Sequence, residues 1–141
     1  MTDVPSAAPD GSIEGLTARY QAYLACLNRR AWDELEVHVA EGVIYNGENI
    51  GLGGYQRMLR RDTTQIPDLR FRAGVLVVQP PLVAARLEFD CSPPGRFLGL
   101  EVNGRQVSFT ENVIYRYDGS RIGQVWSVID RAAIARQLVE G

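Results

Sequence analysis

The texture of the chain changes near residue 69. Before that point apolar residues recur at three- and four-residue steps; after it come long runs rich in β-branched and aromatic residues, at 69 to 79, 82 to 91, 105 to 117 and 121 to 129. Helical period first and strand-like runs afterwards predict an α+β fold, with helices packed on an antiparallel meander. At 141 residues the chain has the size of one globular domain with a core of its own.

The individual elements follow from local chemistry. Residues 1 to 11 are small, polar and proline-bearing, as expected of a disordered leader, which leaves 12 to 141 as the single domain. Ser12 is placed to cap a helix carrying Ile13, Leu16, Tyr20, Tyr23, Leu24 and Leu27 on its apolar side. The run AWDELEVHVA sets Trp32, Leu35 and Val39 on one helical side, and Gly42 is expected to end a second helix there. A short strand is expected at VIYNG (43 to 47), then a glycine-rich loop through Gly54. A third helix runs from Tyr55 to about Gln65, because the residue before Pro67 resists helical geometry. Asp130 is the expected cap of a short C-terminal helix.

Composition removes several function classes. All fifteen basic residues are arginine, so Schiff-base chemistry and a phosphate-cradling lysine are excluded. The arginines are interspersed with seventeen acids for a net charge of −2, which argues against a nucleic-acid or anionic-membrane footprint. Apolar runs are too short to span a bilayer, and the first residues lack a signal-peptide pattern, so a cytoplasmic protein is expected. Cys26 and Cys91 lack the spacing of a zinc or redox pair and read as buried or free thiols. One histidine and scattered acids offer no metal-ligand set.

Strand alternation sorts the polar residues. In ARLEFDCS, Arg86, Glu88 and Asp90 share one face, opposite Leu87, Phe89 and Cys91. If that face lines a cavity it forms an ion-paired polar cluster; a solvated outer face or an interface ion pair is the bland alternative. A hairpin across Gly119-Ser120 pairs Asp118 with Arg121, hence Ile114 with Val125 and Asn112 with Ser127, unless a β-bulge shifts the register. Asn112 and Ser127 would then be a polar pair among Ile114, Val125 and Ile129, suited to orienting a ligand or simply satisfying each other.

Three segments carry a family resemblance: PDLRF (67 to 71), GRFLGLEVNGRQVSF (95 to 109) and VIYRYDGSRIGQVWSVID (113 to 130). With the helix-rich first half ending in GGYQRMLRR, they resemble the SnoaL-like polyketide cyclases of the nuclear-transport-factor-two-like superfamily, from about Ile13 to Leu138. The resemblance implies a cone-shaped curved sheet wrapped around N-terminal helices, an apolar pocket between them, and a homodimer packed through the sheet. It also implies cofactor-free ring closure by intramolecular aldol condensation of a polyketide ester. In such cyclases the residue after the strand tryptophan is typically an aspartate that serves as acid and base; here it is Ser127. The Thr-His pattern before the matched glycine reads Ser92-Pro93 before Gly95. Both expected proton carriers are replaced, and an unactivated serine is a far weaker base than a carboxylate.

Two readings therefore stand. In the first, a cyclase- or isomerase-type enzyme acts on a hydrophobic oxygenated metabolite, polyketide or terpenoid, through a replaced acid set drawn from Asp90, Glu88, Tyr45 and His38. Asn46, Tyr55, Met58, Arg86, Asn112, Ile114 and Ser127 would contact the substrate, and Trp126 would be core or dimer contact. Arginine flanked by carboxylates is also similar to the limonene epoxide hydrolases of the superfamily. In the second reading the pocket binds a small molecule without turnover. The discriminating observation is a carboxylate of raised pKa in the largest apolar cavity.

Overall fold

A computed structural model describes residues 11 to 140. Apart from Gly11, the expected leader lies outside the described residues. Helix α1 (Ile13–Arg29) begins where Ser12 accepts the Gly15 amide through Oγ at 2.9 Å, and ends at Arg30, which adopts a left-handed φ of 59°. Leu16, Tyr20, Tyr23, Leu24 and Leu27 are buried along its apolar side.

The next segment departs from the expected second helix. Trp32–Val37 is a single stretch of 3₁₀ helix, and Val39–Tyr45 is already strand β1, with Gly42 inside it. The β-branched residues Val39, Val43 and Ile44 explain the change: Val39 and Ile44 join a ladder with the last strand, and tertiary pairing outweighs local helix propensity. After β1 the two-residue strand β2 (Glu48–Asn49) folds back on it. Helix α2 (Gly51–Gln65) starts four residues before Tyr55, taking in Gly51, Gly53 and Gly54. Each glycine costs a helix about 1 kcal/mol, offset by burial of Tyr55, Leu59 and Thr63 against the sheet. It stops at Gln65, as Pro67 requires.

The remaining strands are β3 (Ala73–Gln79), β4 (Leu82–Cys91), a small hairpin of β5 (Arg96–Phe97) and β6 (Leu100–Glu101), then β7 (Val107–Asp118) and β8 (Arg121–Ile129). The large sheet has the order β2-β1-β8-β7-β4-β3; β1 runs parallel to β8 and every other neighbouring pair is antiparallel. The sheet is curved and open, and its inner face packs on α1 and α2. Helix α3 (Arg131–Glu140) follows, with Asp130 accepting the Ala133 amide at 3.1 Å as its cap. Cys26 and Cys91 are buried free thiols. Among the described residues no helix is long and apolar enough to cross a membrane.

Register decides what reaches the interior. Asp118 does face Arg121, but Arg116 faces Gln124 and Tyr117 faces Ile122, so Gly123 is an extra residue, a bulge in β8. The expected Asn112–Ser127 and Ile114–Val125 pairs are therefore corrected: Ser127 faces Val113, Val125 faces Tyr115, Asn112 faces Val128 and Ile114 faces Trp126. A one-residue slip exchanges the two faces of a strand.

Candidate active site

The inner face of the sheet, α1 and α2 enclose a cavity of about 230 Å³. Its aromatic wall is a row of four phenylalanines: Phe71 and Phe89 meet edge to face at 5.6 Å, Phe89 and Phe109, on paired strands, lie 5.2 Å apart, and Phe97 continues the row at 5.7 Å from Phe109. Leu98, at the β5–β6 turn with a φ of 52°, also lines the cavity. Asn28 fixes part of this wall, donating to the Phe71 carbonyl at 2.9 Å and accepting its amide at 2.7 Å.

Two carboxylates, Glu111 on β7 and Asp62 on α2, line this largely apolar space, together with Arg61 beside Asp62. Neither carboxylate was singled out from the sequence. Glu111 occupies the inward series Val107, Phe109, Glu111, Val113, Tyr115 and Tyr117, in which the other members are all apolar or aromatic and buried. Asp62 lies on the same side of α2 as Tyr55, Met58, Leu59 and Ile66, all of which line the cavity. The signal was present in both elements: an acid at the apolar phase of an otherwise consistent period.

The environment of Glu111 sets its chemistry. Burial pushes its carboxyl above the ordinary carboxylate range, and the nearby Asp62 charge adds to the rise, while a hydrogen bond donated by Ser127 Oγ opposes it. Asp62 is likewise raised by burial, with Arg61 opposing. The Asp62 charge thus favours a proton on Glu111, while Asp62 itself has Arg61 at 3.9 Å. Ser127 is itself fixed by Asn46, whose side-chain oxygen accepts the Ser127 amide at 2.8 Å and whose nitrogen donates to the Ser127 carbonyl at 3.2 Å. Asn46 holds a left-handed φ of 48°, a conformation asparagine tolerates, at the turn that ends β1.

Tyr23, Tyr55 and Tyr115 also line the cavity, and Tyr20 packs against Tyr23 and Tyr115. Tyr23 and Tyr55 share a hydrogen bond of 2.7 Å between hydroxyls, and Tyr20 donates to Tyr115 at 3.1 Å. Burial pushes all four phenols well above their ordinary pKa, so they remain protonated donors at neutral pH. Tyr45, half-buried, lines the cavity beside Tyr55 with ring centroids 6.1 Å apart, and its phenol is raised by burial.

The residues named from the sequence divide accordingly. Tyr45, Tyr55 and Met58 line the cavity, and Ser127 bonds the carboxylate that lines it. Arg86, Glu88 and Asp90 do not come inward: alternation along β4 sends Val83, Ala85, Leu87, Phe89 and Cys91 into the core and the charged series outward. There Glu88 pairs with Arg72 at 3.0 Å, and Asp90 accepts from Ser108 and Gln106. Asn112 and Ile114 also face outward, as the bulge dictates, and Trp126 is outer surface, 39% exposed, instead of core. Asn46 directs its amide to Ser127, leaving the cavity wall to its neighbour Tyr45. His38 closes the 3₁₀ segment, its ring 6.2 Å from that of Tyr23 and outside the cavity lining, with its pKa lowered by burial.

A curved, open sheet closed by N-terminal helices over one apolar cavity defines the nuclear-transport-factor-two-like class. The model of the SnoaL-like polyketide cyclases matches residues 17–138, and the chain belongs to that family. A SnoaL-like polyketide cyclase from Agrobacterium tumefaciens is 50% identical in sequence, with a TM-score of 0.86 over 87% of this chain and 97% of that one. TsrD from Streptomyces laurentii (23% identity, TM-score 0.78, 90% and 96% covered) and IdmH from Streptomyces antibioticus (18%, 0.76, 87% and 97%) share the fold. No curated protein matches the sequence.

Proposed function

We propose that the protein is an acid–base enzyme of the cyclase or isomerase type, acting on a hydrophobic oxygenated metabolite, with Glu111 in the role that an aspartate at position 127 would otherwise hold. The observation that carries this reading is the placement of Glu111: a carboxylate of raised pKa, held by Ser127, in the apolar cavity. A base is most effective when its pKa lies near the working pH, and burial moves a carboxylate in that direction.

The proton count is simple. Ionised Glu111 removes a proton from the carbon next to a carbonyl; the C–H electron pair forms the C=C bond of an enolate as the carbonyl π pair moves to oxygen. In a cyclisation the enolate carbon bonds to a second carbonyl carbon of the same molecule, and the new alkoxide takes the proton back. In an isomerisation the same proton returns to a different carbon. Asp62 provides a second site on which the proton can rest, and neutral Tyr45 can donate to an oxygen. Ser127 keeps Glu111 oriented and cannot itself replace a carboxylate base.

The test is hydrogen exchange at carbon. Compact ketones such as the one-ring acetophenone and the two-ring 2-tetralone, incubated with the protein in D₂O, should gain deuterium next to the carbonyl faster than in buffer, and Glu111→Gln should remove the acceleration. Saturable binding with no accelerated exchange would favour a binder that keeps the fold without the chemistry.

The outer face of the sheet supports a homodimer. Val75, Val77, Ile114 and Val128 are 51%, 56%, 45% and 70% exposed and surround Trp126. Contiguous apolar surface of this kind is a common interface. Light scattering should give twice the chain mass of 15.7 kDa, and a monomer that persists at high concentration would rule this out.

A further inference from the structure

The two tyrosine pairs hold more protons than they use. Four hydroxyls make two bonds, one from Tyr20 to Tyr115 and one between Tyr23 and Tyr55. The hydroxyl proton of Tyr115, and that of whichever partner accepts in the Tyr23–Tyr55 bond, meets no acceptor among the described residues. Tyr23, Tyr55 and Tyr115 are 1%, 3% and 3% exposed, and all three line the cavity. A buried donor without an acceptor has lost water and gained nothing in return, so these phenols favour a ligand that brings an acceptor oxygen.

Position gives the donors a chemical meaning. Tyr115 and Glu111 lie four residues apart on the inward side of β7, about 13 Å between Cα atoms at the rise of a strand, with both side chains reaching into the same cavity. The Glu111 charge raises both the Tyr55 and Tyr115 phenols, so neutral donors and a base face one shared space. Volume limits what fits in the cavity: one of about 150 Å³ takes benzene, so 230 Å³ suits one ring with a short substituent, or two compact rings, and not a four-ring skeleton.

We propose that Tyr55 and Tyr115, with Tyr23 relaying its bond to Tyr55, form the site for the carbonyl oxygen of a one-ring or compact two-ring ketone or ester. As Glu111 removes the neighbouring carbon proton, negative charge collects on that oxygen, and the two phenols donate to it. Donors already in place when charge develops lower the barrier most, because nothing must reorganise. The phenols keep their protons through the step, and no oxidant, reductant or further reactant is consumed. Their high pKa values agree with this role as donors.

This assignment rests on the acid–base reading of Glu111, and one probe separates the two. Acetophenone bound to the protein should show its carbonyl infrared band displaced to lower frequency than in hexane. Tyr55→Phe and Tyr115→Phe should each return the band toward the hexane position and weaken binding about three- to tenfold, the value of one neutral hydrogen bond. Glu111→Gln should leave the band displaced while carbon exchange stops. Tyr23→Phe, which removes only the relay, should give a smaller return than Tyr55→Phe; thermal melts confirm that each variant is folded. A band at the hexane position in the wild type, a displaced band insensitive to both variants, or no saturable acetophenone binding would overturn the assignment. A displaced band with exchange undiminished in Glu111→Gln would instead overturn the acid–base reading and leave the tyrosine site standing.

Discussion

The two faces of the large sheet are built from alternate residues of the same strands, yet they solve opposite problems. On β7 the inward series Phe109, Glu111, Val113 and Tyr115 lines a cavity, while the outward series Thr110, Asn112, Ile114 and Arg116 lies on the opposite face. On β4 the acids lie outward, where Glu88 has an arginine and Asp90 has hydroxyl and amide donors. On β7 one acid lies inward, where a serine hydroxyl is its hydrogen-bond partner. A carboxylate in water beside a cation is ordinary surface; a carboxylate in an apolar cavity is costly and reactive. Function in this fold is thus a matter of phase along a strand more than of which acids are present.

The sharpest way to break this comparison is to change the acid on each face. Glu111→Gln should lower carbon-proton exchange by about 10²- to 10⁴-fold, the usual contribution of a positioned base. Glu88→Gln and Asp90→Asn should stay within about twofold of wild type, since surface substitutions away from a site change little. Equal losses on both faces would mean that the cavity is not where the chemistry occurs.

A matched apolar-to-acid substitution reads the same contrast as stability. Val113, 3% exposed, and Val128, 70% exposed, lie on neighbouring strands with opposite orientation. Val113→Asp should cost about 3 kcal/mol or more by denaturant unfolding, and Val128→Asp about 0.5 kcal/mol or less in the isolated chain. In a dimer that covers Val128, the second variant should also shift the protein toward monomer.

The pH dependence of stability should follow Glu111. Its folded pKa is raised, so protonation stabilises the fold at low pH, and that contribution is lost as pH rises through the folded value. Glu111→Gln removes the cost of ionisation and should melt about 2–5 °C above wild type at pH 7, with the difference shrinking as pH falls through the folded value and gone below 4.5, the ordinary value for a glutamate. Ser127→Ala should act more gently still. It removes the bond that favours the charged form, so the acid limb of the exchange profile should move to higher pH, with a rate loss of about tenfold.

Much of the fold could be read in the chain. The bounds of β4 and β8, the caps at Ser12 and Asp130 and the stop before Pro67 all follow from local chemistry. Residues 32 to 45 could not be read this way, because AWDELEVHVA carries a helical pattern and β1 exists only through its parallel pairing with β8. The site was lost at one residue. Counting the hairpin outward from Gly119-Ser120 ignores the extra residue Gly123, and that slip turns Asn112 and Ile114 inward and Glu111 outward. The alternation within β7 itself places Glu111 correctly and depends on no partner strand. Where the period of a strand and an inferred register disagree, the period is the sounder guide, because burial acts on each residue and register only on pairs.

The most direct test of the central claim is a titration of the Glu111 carboxyl by carbon NMR, assigned by its loss in Glu111→Gln. A midpoint above 4.5, moving higher in Ser127→Ala, is the result expected for a base buried in the cavity and held by that hydroxyl. A midpoint at or below 4.5 that does not respond to Ser127→Ala would place Glu111 in water and contradict the account.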